Sequence, residues 1–170
     1  MTRAERGVNV GTAEKRKSMF GRGPASKLKD FIGREISLSD WLTVGQERIN
    51  AFAECTEDRQ WIHVDQERAG KGPLGGTVAH GFLILSLLPA FNMKSEISGL
   101  KFKYVFNYGL NRVRFLSPVR AGARVRNRAV LKSIEKKGFR RLLAVIENTV
   151  EVEGGDKPAL AAELLVYFVL

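Results

Sequence analysis

The chain has two histidines, and both lie in its middle third, at positions 63 and 80. Asp58 precedes the first by five positions in Asp58-Arg59-Gln60-Trp61-Ile62-His63. A carboxylate and an imidazole on one loop can converge on a single water. One takes its proton while the other holds or returns it, as general acid–base chemistry requires. An ordinary loop hydrogen bond would meet the same spacing. Gly81 adds an independent signal, because it directly precedes the apolar run Phe82 to Leu88. At the start of a helix the first N–H groups have no intrahelical partner, and glycine leaves that backbone open to close approach. Backed by the positive end of the helix, such an N–H suits a developing oxyanion. A glycine that merely lets the helix pack tightly would leave the same trace. His80, beside it, could orient the site or cap the helix.

These residues need elements to hold them. Ile36 to Leu38 is a short strand candidate. Thr43 and Gln46 have capping-box spacing ahead of an amphipathic helix over roughly 45–54. From Cys55 to Gly76 the chain is polar and broken by Gly70, Gly72, Pro73, Gly75 and Gly76, which predicts a loop. The helix that follows is apolar on every side, which predicts burial on every side. Beyond Gly99 the sequence predicts strands at 101–106, 112–116, 123–133, 140–152 and 159–169. In two of them Asn127 and Asn148 fall among the inward, apolar positions. A buried helix followed by antiparallel strands predicts an α+β architecture, with the sheet wrapped around the helix.

The 170 residues have an ordinary globular composition, and 28 Lys+Arg against 18 Asp+Glu leave a net charge of +10. That balance invites a nucleic-acid partner, so its location matters. Residues 1–34 carry +6, 35–119 balance to zero, 120–141 carry +8 and 142–170 carry −4. The first block is Gly-rich and weakly periodic, which predicts a basic, flexible arm over 1–30, pinned at Phe20 and Leu28. The second lies in a strand, with Arg124, Arg126 and Arg128 alternating with apolar residues. Basic residues do not interleave with aromatics as a stacking array would require, so no nucleic-acid partner is expected. No apolar stretch reaches the roughly 20 residues of a bilayer span. No secretory signal is evident and Cys55 stands alone, so the expected compartment is the reducing cytoplasm. Cys55 itself is expected to be a small buried residue. No zinc-ligand spacing is present, so no metal is expected.

The stretch 53–63, with Asp58 and His63 five apart, followed by Ala79-His80-Gly81-Phe82, resembles the MaoC-like dehydratases. These include the (R)-specific enoyl-CoA hydratases and the NodN-like proteins. The segment Asn107 to Phe115 resembles the NodN-like branch, and the resemblance spans residues 31–170. It implies a hot-dog fold, usually dimeric, with the site near the protomer interface and no cofactor. The implied activity is reversible syn hydration of a trans-2-enoyl-CoA to an (R)-3-hydroxyacyl-CoA. Asp58 and His63 would hold the water, and the Gly81 N–H would hold the thioester oxygen. Two departures stand out. Gln60-Trp61 replaces the Asn-Pro of the family motif, and Glu57 stands where glycine commonly precedes the aspartate. Gln60 is expected to keep an amide in the loop, and Trp61 to pack over it. The basic strand face becomes a candidate for the CoA phosphates. Three alternatives remain open from sequence: a hot-dog thioesterase, a basic nucleic-acid-binding protein, and a catalytically silent hot-dog subunit.

Overall fold

The computed structural model describes residues 24–170. Six helices and six strands follow in order: α1 (Pro24–Lys29), β1 (Glu35–Leu38), β2 (Leu42–Thr43), α2 (Gln46–Thr56), α3 (Trp61–Val64), α4 (Gln66–Gly70), α5 (Gly81–Ser86), α6 (Leu88–Asn92), β3 (Tyr104–Phe115), β4 (Arg124–Lys136), β5 (Arg141–Val152) and β6 (Leu160–Val169). One antiparallel sheet runs in the order β1-β4-β5-β6-β3, and β2 also pairs with β4. This is the predicted hot-dog arrangement.

The alternation along β4, β5 and β6 sends one face of each strand inward. Val125, Ala129 and Leu131 of β4, Leu142, Ala144, Ile146 and Val150 of β5, and Leu160 to Phe168 at alternate positions of β6 form one core with Leu83 and Ile84 of α5, Leu88 and Phe91 of α6, and Leu87 between the two helices. Burial of a side chain of this size is worth about 1.5–3 kcal/mol. Among these apolar groups sit Asn127 and Asn148, both fully buried. Asn127 Nδ2 donates to Asn92 Oδ1 at 3.0 Å and to Asn148 Oδ1 at 2.9 Å, and Asn92 Nδ2 donates to Asn148 Oδ1 at 3.0 Å. The amides therefore pin the end of α6 to both central strands, where an apolar contact could slide.

Leu28, expected to pin the arm, lies in the core with Ala25 of α1; residues 1–23 of the predicted arm, with Phe20, lie outside the described residues. The structure corrects several other expectations. The central helix is two short helices, with Pro89 in the first turn of the second. Nor is it buried all round, since Phe82 is 67% exposed and packs against Phe115 on edge strand β3. The two strands predicted at 101–106 and 112–116 are one, β3, with irregularities between Asn107 and Gly109 and between Leu110 and Arg112. The predicted loop 55–76 contains α3 and α4. Cys55 is exposed.

Candidate active site

Helix α2 ends at Thr56, and its C-cap, Glu57, takes the left-handed conformation at φ 62°. That single residue reverses the chain into Asp58 and the N-cap of α3, Gln60. The His63 N–H closes the turn on the Gln60 carbonyl at 2.9 Å, which sets His63 on the third residue of α3. The Val78 N–H donates to the Ile62 carbonyl at 3.0 Å, and the Ala79 N–H to the Val119 carbonyl at 2.8 Å. The first bond laces α3 to the segment that enters α5, and the second ties that segment to the stretch between β3 and β4; His80 is the N-cap of α5 and Gly81 its first residue.

Folding thus brings Asp58, His63 and His80 together, with one polar atom from each lying within 4.8 Å of the others. His63 and His80 are buried, whereas the Asp58 side chain is 56% exposed. The two imidazoles stack with ring centroids 3.7 Å apart, and Phe52 covers the His80 ring at 5.1 Å. Each ring turns one nitrogen to a backbone carbonyl: His63 Nδ1 to Val78 O at 2.7 Å, and His80 Nε2 to Asp58 O at 2.8 Å. A carbonyl oxygen only accepts, so these nitrogens carry the protons of the neutral rings. The unprotonated nitrogens are then His63 Nε2 and His80 Nδ1. The second is buried without a hydrogen-bond partner among the described residues.

The three side chains are types that ligate metals, although the sequence carries no zinc-ligand spacing. His63 Nδ1 and His80 Nε2 are already committed to carbonyls, leaving one nitrogen on each ring as a ligand atom. Asp58 opens onto a cleft of about 400 Å³ walled by Phe52, Thr56, Phe82, Leu85 and Ser86. Its neighbour Arg59 turns away to a two-point pair with Glu54 at 2.7 and 2.9 Å. That hydrogen bond, with the guanidinium charge, holds the Glu54 carboxyl below the usual carboxylate range. The nearest cation in sequence is therefore engaged with Glu54.

Gly81 has both features that sequence left as alternatives. Its N–H lies in the first turn, without an intrahelical acceptor. A Cβ at this position would fall 2.8 Å from the Phe115 ring, so close packing also requires glycine. Phe115 and Gly81 share the wall of a second, smaller cleft of about 190 Å³ with Ile84 and Val119.

Other candidates fall elsewhere. Gln60 gives the turn its backbone carbonyl, and its side chain is exposed and makes no loop-bracing hydrogen bond among the described residues. Trp61 packs as expected, with Arg68 stacked 4.3 Å over its ring. Arg124, Arg126, Arg128 and Lys132 lie on the face of β4 opposite the core and pair with Glu153, Glu151, Glu35 and Glu147. This basic row is a cross-strand ladder of ion pairs. Gln46, read as half of a capping box, makes no cap, and Thr43 belongs to β2. The Gln46 amide instead donates to the His63 carbonyl at 2.7 Å and accepts from the Thr77 hydroxyl. The capping spacing had singled out this residue for a different role.

The chain is similar to known proteins in both sequence and fold. Residues 27–154 match the family model described as a MaoC like domain. The chain is 48% identical over 138 residues to 3-hydroxyacyl-thioester dehydratase Z of Mycobacterium tuberculosis, covering 81% of this chain and 90% of the relative. It is 48% identical over 132 residues to Nodulation protein N of Rhizobium leguminosarum bv. viciae, covering 77% and 82%. Among solved structures it is similar to a monoamine oxidase regulatory protein from Archaeoglobus fulgius, with a TM-score of 0.71, 26% identity, and coverage of 81% and 90%.

Proposed function

Because the chain belongs to the MaoC-like dehydratase family, we propose that it adds water reversibly across the double bond of a trans-2-enoyl-CoA to give the (R)-3-hydroxyacyl-CoA. The observation that carries this reading is the convergence of Asp58, His63 and His80 within 4.8 Å at the start of α5.

In the proposed reaction a water sits between the Asp58 carboxylate and His63 Nε2. The Nδ1 proton is held on Val78 O, which keeps Nε2 as the acceptor. As the water oxygen attacks Cβ, Nε2 takes its proton and Asp58 holds the remaining hydrogen. Electron density moves through Cα to the thioester oxygen, where the Gly81 N–H receives the charge. Donors of this kind contribute about 3–4 kcal/mol in other enzymes. The proton on Nε2 is then delivered to Cα on the same face, which gives syn addition and restores the base. No cofactor enters. His80 anchors the Asp58 backbone through the bond to its carbonyl. The active form is proposed to be a homodimer, in which Phe82, Phe115 and the aromatic residues exposed along β3 meet a second copy; no described helix is long and apolar enough to cross a membrane.

Incubation with crotonyl-CoA tests the assignment. Hydration predicts loss of enoyl absorbance with no free thiol. Release of CoA thiol together with the unsaturated free acid, crotonate, would make the protein a thioesterase instead.

A further inference from the structure

Gln46 stands outside the acid–base cluster, yet its amide touches both segments that carry it. Nε2 donates to His63 O at 2.7 Å and to Asn50 Oδ1 at 2.8 Å, and Oε1 accepts from the hydroxyl of Thr77. Thr77 is 4% exposed. His63 belongs to a four-residue helix, so its carbonyl has no acceptor role within that helix to fill. The amide gives that orphan carbonyl a partner. The residue type matters. A carboxylate would set an acceptor against an acceptor at His63, and an ammonium would have nothing with which to receive the Thr77 proton. An amide alone of these does both, and its orientation is fixed because the carbonyl can face only the N–H₂ end.

We propose that Gln46 is a positioning residue for the acid–base histidine. By tying the His63 backbone to Thr77, it keeps His63 Nδ1 on the carbonyl of Val78, the next residue in the chain, and so keeps Nε2 unprotonated and aimed at the water. Gln46 does not touch the reacting atoms. It acts on the distance between α3, which carries the base, and the entrance to α5, which carries the Gly81 N–H. The kinetic consequence rests on the reaction proposed above; the consequence for the His63 ring does not.

The test compares Gln46→Leu, Thr77→Val and Thr77→Ser in the full chain. Two readouts are taken: kcat and KM for crotonyl-CoA hydration, and the ¹⁵N shifts of the His63 ring. Gln46→Leu is expected to lower kcat about 10-fold to 100-fold with KM nearly unchanged, as misplacement of a catalytic group does. Its His63 ring is expected to move from the single Nδ1–H tautomer towards a mixture. Thr77→Val should shift both readouts in the same direction, and Thr77→Ser, which keeps the hydroxyl, should restore them. An unchanged His63 ring pattern in Gln46→Leu overturns the proposal, whatever the activity. Should Gln46→Leu fail to fold, the Thr77→Val and Thr77→Ser pair decides by the same criterion. If the wild type hydrates no enoyl-CoA, the proposed reaction fails, and the ring pattern still decides the role of Gln46.

Discussion

His63 and His80, seventeen positions apart in the chain, stack with ring centroids 3.7 Å apart and planes inclined by 26°. Their hydrogen bonds divide the labour. His63 Nδ1 donates to Val78 O, which leaves Nε2 for the proposed chemistry, whereas His80 Nε2 donates to the Asp58 backbone carbonyl and so anchors the residue whose carboxylate is proposed to work with His63. On this account His80 is a positioning residue. Substitution by phenylalanine keeps a ring against His63 and removes the anchor on Asp58. His80→Phe is expected to fold, with kcat reduced about 10-fold to 100-fold by a displaced carboxylate. That loss should be smaller than the loss from removing Asp58 or His63. Steady-state kinetics beside circular dichroism checks the order.

Gly81 and Phe115 make a second prediction. A methyl group at Gly81 would fall 2.8 Å from the Phe115 ring, which would have to give way. Gly81→Ala keeps the N–H, so any loss of activity must come from the displaced ring and helix start. Activity is expected to fall at least about 10-fold, since small misplacements at a reacting centre are costly. The added change Phe115→Leu should recover part of it. Equal rates for Gly81→Ala with and without Phe115→Leu would sever the link between the two residues.

Much of this site was legible because its chemistry lies in short, local patterns. The Asp58/His63 spacing and the His80-Gly81 entry to an apolar helix needed no knowledge of long-range packing. The inward phases of Asn127 and Asn148 were visible for the same reason, since strand alternation is a period of two. What failed depends on register and on partners distant in sequence. Arg124, Arg126 and Arg128 were seen as a wet row, but only the pairing of β4 with β5 and β1 puts Glu151, Glu153 and Glu35 opposite them. Gln46 has the right spacing for a cap, and its true partners lie 17 and 31 residues away. Phe82 reads as core by its apolar type, yet beside edge strand β3 it is 67% exposed.

The β4–β5 ladder carries a pH dependence. Hydrogen bonds from Arg126 first, then from Arg128, hold the Glu151 carboxyl below its ordinary range despite its partial burial, which works the other way. A carboxylate whose folded value lies below its unfolded value of about 4.3 stabilises the fold above that pH and ceases to as pH falls through the folded value. Glu151→Gln is therefore expected to cost up to about 1 kcal/mol at pH 7, the scale of a partly exposed pair. The difference from wild type should shrink below about pH 4. Urea unfolding at pH 7 and pH 3 measures both; a gap that widens on acidification contradicts the pairing.

Glu57 carries a cost that glycine would avoid. It holds φ 62° at the end of α2, a conformation that costs an L-residue about 1–2 kcal/mol, partly offset by the greater chain entropy that glycine loses on folding. Glu57→Gly is expected to raise stability by about 0.5 kcal/mol, or roughly 1–2 °C in Tm for a chain of this size. Activity should be unchanged, because the turn into Asp58 keeps its shape. A lowered Tm would indicate that the Glu57 side chain has a role the backbone does not reveal.

The central claim is that Asp58 and His63 together hold and deprotonate the water that adds to the enoyl thioester. The most direct test is the rate of crotonyl-CoA hydration by Asp58→Asn and His63→Ala, each first shown by circular dichroism to keep the wild-type fold. Loss of a positioned acid–base group predicts a fall of about 10²–10⁴-fold in each. A wild-type rate in either folded variant would contradict the account.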